Sequence, residues 1–310
     1  MERVTDLRKW KGPKTDVIAT LGNFDGMHLG HQALVERLLE WHDVLRLPTM
    51  VVSFDPHPAA LLRPHEPRRE LVPLPDRLRL LERLGIDVVV VLRFDNHLRG
   101  MSAEEFFREI LVDRLRVKHL VLGPDSRFGR DRAGGFSLCS ELGSRAEVTC
   151  DEIDPLEVEG QPISSTRIRD RVAAGDVADL PELLGRYYRL RGEVRKGAGR
   201  GATLGFPTAN VDAGPALKPA DGVYAGRLWA EGVLRPAAIS VGTNPTFNGP
   251  PITTVEAHVL DFEGDLYGQV VSVEFQERLR GMERFEGPEP LIAQMHRDVA
   301  RVRELIVDPA

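Results

Sequence analysis

Cysteine is nearly missing from this chain of 310 residues: there are two, Cys139 and Cys150, and no CxxC. That scarcity argues against a disulfide scaffold or a zinc module. The pair reads as plain buried thiols. Long apolar runs are missing too. The longest unbroken aliphatic stretch is Val88–Leu92, far short of the ~18 residues of a membrane span. Residues Met1 to Asp16 are polar and lack the apolar centre of a signal peptide, so a cytoplasmic address is expected, with a short ordered arm at this end. Positive charge is not in surplus: 41 Lys and Arg stand against 47 Asp and Glu, a net −6. Neither half is basic, so no nucleic-acid partner is expected. Local basic clusters around Arg167–Arg171 and Arg195–Arg200 suit a small phosphorylated ligand better. No GxxxxGK[ST] occurs, which removes the P-loop as a route to ATP. There is no internal repeat and no low-complexity tract.

What is present is ordinary globular material, with 42% hydrophobic and 28% charged residues. The length is twice the usual domain of about 150 residues, so two domains are expected. The first half alternates β-like runs (Val17–Leu21, Met50–Phe54, Asp87–Phe94, His119–Gly123) with helical stripes. One stripe covers Ala33–Leu45 and another carries Leu78, Leu81 and Leu84. The sequence Ser102-Ala-Glu-Glu105 is a capping box that starts a helix through Leu111. Strands alternating with helices predict βαβ units and a mainly parallel sheet. The stretch Pro56–Pro75 reads as loop. After Tyr187 the runs are short and β-rich: Tyr188–Val194, Val223–Trp229, Ala237–Val241, Thr254–Leu260 and Val270–Phe275. No helical pattern is seen until Pro290–Ile306, which predicts an antiparallel β-barrel with one terminal helix. The boundary is placed near Leu184–Arg186, giving domains 1–184 and 185–310.

The first candidate site is Gly22-Asn23-Phe24-Asp25-Gly26-Met27-His28-Leu29-Gly30-His31, between the first of those runs and the first helix. The carboxyl edge of a parallel sheet is where such folds bind ligands, and a helix N-terminus there offers backbone N–H groups to phosphate. His28 and His31 fall on one face of the first helical turn. Paired imidazoles suit charge that builds on an attacked α-phosphate. The competing readings are a metal pair, which lacks a third ligand at metal spacing, and plain capping. Asp55 and His57, in Ser53-Phe-Asp-Pro-His-Pro58, end the next strand at the same edge. Turn chemistry weighs equally there. Asp125 and Arg127, in Gly123-Pro-Asp-Ser-Arg-Phe-Gly129, either face a substrate or form a plain turn. In Ile163-Ser-Ser-Thr-Arg-Ile-Arg169, Ser164, Ser165 or Thr166 caps a helix, or Ser164, Thr166 and Arg167 clamp phosphate.

The second candidate site is Lys196-Gly-Ala-Gly-Arg-Gly-Ala-Thr-Leu-Gly-Phe-Pro-Thr-Ala-Asn210, just after the first barrel strand. As a Rossmann fingerprint it fails, because no helix follows the strand and Pro207 intervenes. A glycine-rich flap with Gly197, Gly199 and Gly205 cradling phosphates fits better. Thr208 and Asn210 lie two apart, so an extended strand turns both the same way. Their oxygens suit Mg²⁺, a hard cation. Glu256 is a general-base candidate whose bland reading is an exposed strand residue.

GxFDGxHxGH, FDPHP, GxDxRFG and ISSTRIR, in that order, resemble the N-terminal half of the prokaryotic bifunctional riboflavin kinase/FMN adenylyltransferase family, also called FAD synthetase. Gly205-Phe-Pro-Thr-Ala-Asn210, Gly222-Val-Tyr-Ala225, Gly242-Thr-Asn-Pro-Thr-Phe247, Val255-Glu-Ala-His258, Tyr267-Gly and Leu279-Arg280 resemble its kinase half. The likeness runs from about Asp16 to Asp298. It implies a Rossmann-like nucleotidylyltransferase domain followed by a six-stranded antiparallel barrel. It also implies ATP, riboflavin, FMN and FAD as substrates or products, a divalent ion held by Thr208 and Asn210, and Glu256 as the base. His28 and His31 would serve the adenylylation of FMN. Two departures stand out. Ser126 replaces an aromatic of the family pattern, and Asn248-Gly-Pro-Pro251 is a compact turn before Glu256. The first leaves open a single-activity riboflavin kinase with a weakened adenylyltransferase half. Rivals of another class are a flavin-responsive gene regulator, which would need a helix-turn-helix and a basic face, and a passive flavin-binding barrel. Oligomeric state is not legible in the sequence.

Overall fold

A computed structural model describes residues 1–62, 65, 69–197, 199–244 and 252–306. Residues 245–251, which hold the Asn248–Pro251 turn and the end of the Gly242–Phe247 motif, lie outside the described residues, as does Ala198. The chain divides into two compact units: 1–69 with 73–164, and 70–72 with 165–310.

The first unit is built on six parallel strands: β1 (Glu2–Val4), β2 (Val17–Leu21), β3 (Thr49–Asp55), β4 (Val88–Arg93), β5 (Val117–Leu122) and β6 (Thr149–Glu152). Their spatial order is β1-β4-β3-β2-β5-β6. β-Branched runs such as Val88-Val-Val-Val91 are buried on both sides, as a covered parallel sheet requires. One face (Ile18, Val51, Val89, Val91) packs on Leu34, Val35 and Leu38 of α1 (Leu29–Leu45). A short helix α2 (Pro58–Leu62) follows β3, and α3 (Leu74–Arg83) adds Leu78 and Leu81 to the same face. The other face (Ala19, Leu21, Val52, Val90, Leu92) packs on Phe106, Phe107 and Leu111, and on Cys139 and Leu142. These come from a π-helical segment, Phe106–Arg114, and from α6 (Phe136–Ala146). The π segment continues two short helices, α4 (Asn96–Gly100) and α5 (Ala103–Glu105), and Ser102 caps α5 in the expected capping box. A small hairpin, β7 (Glu157–Val158) with β8 (Gln161–Pro162), ends the unit.

The expected α/β unit with a parallel sheet is what the chain forms. Three residues of the polar arm at its start form β1, which adds to the sheet edge beside β4. The stretch Pro56–Pro75 is not all loop, since α2 lies in it and α3 begins in it.

The second unit opens with α7 (Ser165–Ala174) and α8 (Leu180–Leu184). A closed antiparallel barrel follows: β9 (Tyr188–Arg195), β10 (Ala209–Asp212), β11 (Gly222–Ala230), β12 (Val233–Asn244), β13 (Ile252–Val259) and β14 (Val270–Arg280), ordered β10-β13-β12-β11-β14-β9. The sequence marks five of these strands as β-rich runs. β10 is the sixth, and its pairing with both β9 and β13 closes the barrel. One helix precedes the terminal one after all: α9 (Arg200–Thr203), a single turn inside the glycine-rich stretch. The terminal α10 (Pro288–Leu305) seals the barrel exterior, burying Val302 with Ile306 against Ala225 and Leu260. Each such side chain contributes about 1.5–3 kcal/mol.

Candidate active sites

In the first unit the sheet order reverses at β2, whose neighbours β3 and β5 carry the chain outward in opposite directions. That is a topological switch point, where the strand ends leave a crevice for a ligand. Gly22 to His31 occupies it. Gly22 N still donates to Val52 O (3.0 Å), and the chain then leaves the sheet. Phe24 (φ 52) and Met27 (φ 44) are left-handed and fully buried. Packing around them holds a conformation that such residues otherwise avoid. Asp25 is buried as well. The Asn23 carbonyl accepts from Arg77 Nη1, on a fully buried arginine of α3. Asn23 Oδ1 is buried with no hydrogen-bond partner among the described residues.

The loop delivers His28 to the N-cap of α1. Its Nδ1 accepts from His31 N (3.3 Å), which puts the proton of a neutral ring on Nε2. The two imidazoles stack with centroids 3.6 Å apart and planes 19° from parallel, and Phe24 packs 5.1 Å from His31. Gly30 follows within the first turn, where a Cβ would stand 3.2 Å from His28 Nδ1. The plain reading of His28 as a cap is therefore met, and its ring also stacks on His31.

The neighbouring motifs divide. Asp55 ends β3 and is exposed. His57 Nδ1 accepts from Ala59 N (3.1 Å), which is turn chemistry at the start of α2. Asp125 is exposed, and Arg127 folds back onto its own turn, donating to Ser126 O (2.7 Å) and Pro124 O (3.3 Å). Ser126 closes that turn by accepting from Gly123 N (2.9 Å). Ser164 ends the first unit. Thr166 and Arg167 lie on α7, which clusters with the second unit.

In the second unit β13 lies between β10 and β12. Asn210 is paired with Glu256 in register, and Ala209 with Ala257. Just before β10, Thr208 Oγ1 donates to Glu256 Oε2 (3.3 Å). Glu256 is thus half-buried and hydrogen-bonded, not an exposed strand residue. The glycine-rich stretch folds over this pair. Gly199 and Gly205, both at positive φ, bracket α9. At Gly197 the approach is closest, and an added Cβ would fall 2.3 Å from the Asn210 amide. Pro207 O accepts from His258 Nδ1 (2.9 Å). Among the described residues no group of three His, Cys, Asp or Glu is placed to hold a metal ion.

Sequence reasoning gave no role to Arg77 or His258. A buried arginine inside a charged helix leaves no mark in the pattern. His258 did carry one signal, its two-residue spacing from Glu256 on a strand.

Comparison with known proteins matches residues 11–167 to the FAD synthetase family model and 184–306 to the riboflavin kinase model. A bifunctional riboflavin kinase/FMN adenylyltransferase of Pseudomonas fluorescens is 37% identical, covering 100% of this chain and 99% of its own. One from Escherichia coli K12 is 36% identical over 95% of this chain and 94% of its own. A crystal structure from Streptococcus pneumoniae, described as a macrolide-efflux protein, superposes with a TM-score of 0.89 at 31% identity, over 98% of this chain and 99% of its own. No described helix here is long and apolar enough to cross a membrane. Two family models in tandem, and relatives aligned over nearly their whole length, lead to one conclusion: the chain belongs to the bifunctional riboflavin kinase/FMN adenylyltransferase family.

Proposed function

We propose that the chain makes FAD by two successive phosphotransfers at two separate sites. The second unit moves the γ-phosphoryl of ATP to the terminal ribityl hydroxyl of riboflavin, giving FMN and ADP. The first lets the FMN phosphate attack the α-phosphate of a second ATP, giving FAD and pyrophosphate. The functional halves are taken as 1–184 and 185–310. The ends of the two family matches, at 167 and 184, support that division.

At the kinase site Glu256 accepts the proton of the attacking hydroxyl. Its bond to Thr208 aims the carboxylate and leaves a second oxygen for the substrate. The donor set fits Mg²⁺. Thr208 Oγ1 and Asn210 Oδ1 are hard oxygens, and a glycine at 197 keeps room beside the Asn210 amide. Thr208 and Asn210 would hold the ion together with ATP phosphates, and the ion would supply neutralisation of phosphate charge. Gly197, Gly199 and Gly205 offer backbone amides to those phosphates, and Pro207 holds the turn into β10.

At the adenylylation site His28 and His31 face charge developing on the α-phosphate, with the α1 N-terminus adding its dipole. Gly22, Asn23, Phe24, Asp25, Gly26 and Gly30 shape the nucleotide crevice. Ser164 is assigned to the leaving phosphates, and Asp55, His57, Asp125 and Arg127 to the rim. Ser126 serves its own turn, so its presence does not mark this half as inactive. Catalysis at both sites is positioning and electrostatics. The reading places the enzyme in the cytoplasm, with small-molecule substrates and no nucleic-acid or membrane partner.

The observation that carries the reading is the coexistence in one chain of the stacked His28–His31 pair and the Thr208–Glu256 bond. Incubating the protein with riboflavin, ATP and Mg²⁺ and separating the products tests it. FMN and FAD should both form. FMN alone would support the single-activity kinase, and neither product would support a passive flavin-binding barrel.

A further inference from the structure

The Pro207 carbonyl stands immediately before Thr208, the residue that bonds Glu256. A ring nitrogen from β13 holds it: His258 Nδ1 lies 2.9 Å from Pro207 O. A carbonyl can only accept, so Nδ1 carries the proton and Nε2 the lone pair when the ring is neutral. Glu256 and His258 are two apart on one strand and turn the same way. β13 therefore grips the segment entering β10 at two successive residues, Thr208 through the carboxylate and Pro207 through the imidazole. A third brace lies beside them. The buried Phe206 ring meets His258 edge to face at 5.3 Å, and meets His296 of α10 in the same manner at 5.0 Å.

We propose that His258 is a positioning residue of the kinase site: its Nδ1–H fixes the Pro207 carbonyl and so sets Thr208 and Asn210 where ATP phosphates meet them. This rests on the kinase site proposed above. Without the bond the Pro207 carbonyl is released, and Thr208, held then by Glu256 alone, loses its line with Asn210, whose place is kept by its pairing with Glu256 and Arg195. The loss then falls on ATP, not on riboflavin.

The test uses the full chain, in which FMN adenylylation is an internal control. His258→Leu keeps bulk and removes the donor. Expected is a rise of about tenfold in KM for ATP in riboflavin phosphorylation, the worth of one such hydrogen bond. KM for riboflavin, both constants of adenylylation and Tm should stay unchanged. His258→Asn puts an amide N–H where Nδ1 stood and should restore ATP binding to within about threefold. In ¹⁵N-histidine-labelled protein the resonance lost in His258→Asn should show the Nδ1–H tautomer above pH 8. An Nε2–H tautomer overturns the proposal even if His258→Leu fails to fold. So does a variant that loses kinase activity only in step with folded protein, at unchanged KM for ATP, or an Asn variant no better than Leu. Glu256→Gln is run beside them. If it still makes FMN at the wild-type rate, the kinase reading itself fails. If it abolishes FMN formation while the His258 variants behave as wild type, only the present inference fails.

Discussion

Gly197 and Asn210 approach so closely that no side chain fits between them: a Cβ on Gly197 would lie 2.3 Å from the Asn210 amide nitrogen. The register of Asn210 with Glu256 on β13 and with Arg195 on β9 is made by backbone and does not depend on that glycine. Gly197→Ala should therefore push the amide aside without unfolding the barrel. Riboflavin phosphorylation should fall by at least about tenfold in kcat/KM, the cost of one misplaced polar contact. Adenylylation of supplied FMN should be unchanged. Steady-state assays of the two half-reactions on one preparation check this.

Gly129 is a structural counterpart in the first unit. It has φ 70, and a Cβ there would fall 2.4 Å from Ala103 Cα, a backbone atom that cannot rotate away. Gly129→Ala combines left-handed strain with overpacking at the start of α5, together about 2–3 kcal/mol. A drop of roughly 5–10 °C in Tm is expected by calorimetry.

His119 lies buried on β5, its Nδ1 2.6 Å from Thr149 Oγ1 and its ring 4.1 Å from Trp41. Burial holds its pKa below the ordinary 6.5, against a smaller upward pull from Asp151. The unfolded chain then binds a proton more readily than the native one. Stability is fully present above pH 6.5 and declines as pH falls toward the depressed native pKa. His119→Asn should flatten that part of the pH–stability curve, measured by urea unfolding between pH 5 and 7.

The two thiols differ in the same way. Cys139 on α6 is buried and donates to Cys150 on β6, which pushes the Cys139 pKa up and the Cys150 pKa down. Iodoacetamide should label Cys150 first, with Cys139 reacting only on unfolding. Peptide mapping against time reads the order.

Much of this was legible in the sequence, for reasons that differ by element. Val88–Leu92 reads as a buried strand, and His28 and His31 as one face of the first helical turn, of which His28 proves to be the N-cap. β10 was not legible. Ala209-Asn-Val-Asp212 is four residues long, and only closure with β9 and β13 makes it a strand. Helix α6 hid behind three serines, a cysteine and a glycine, whose weak propensities are overridden by burial of Cys139 and Leu142. Thr208 and Asn210 followed from residue types and spacing and Glu256 from the family resemblance, but the brace from His258 to Pro207 depends on a carbonyl that has no side-chain signature. Within the glycine-rich stretch, α9 is a single turn, too short for any periodic pattern.

The central claim is that two independent sites act in sequence, and product analysis of two folded variants tests it most directly. Given riboflavin, ATP and Mg²⁺, His28→Ala should accumulate FMN and make no FAD. Glu256→Gln should make no FMN from riboflavin, yet should convert supplied FMN to FAD. One substitution that abolishes both conversions in a folded chain would contradict the account.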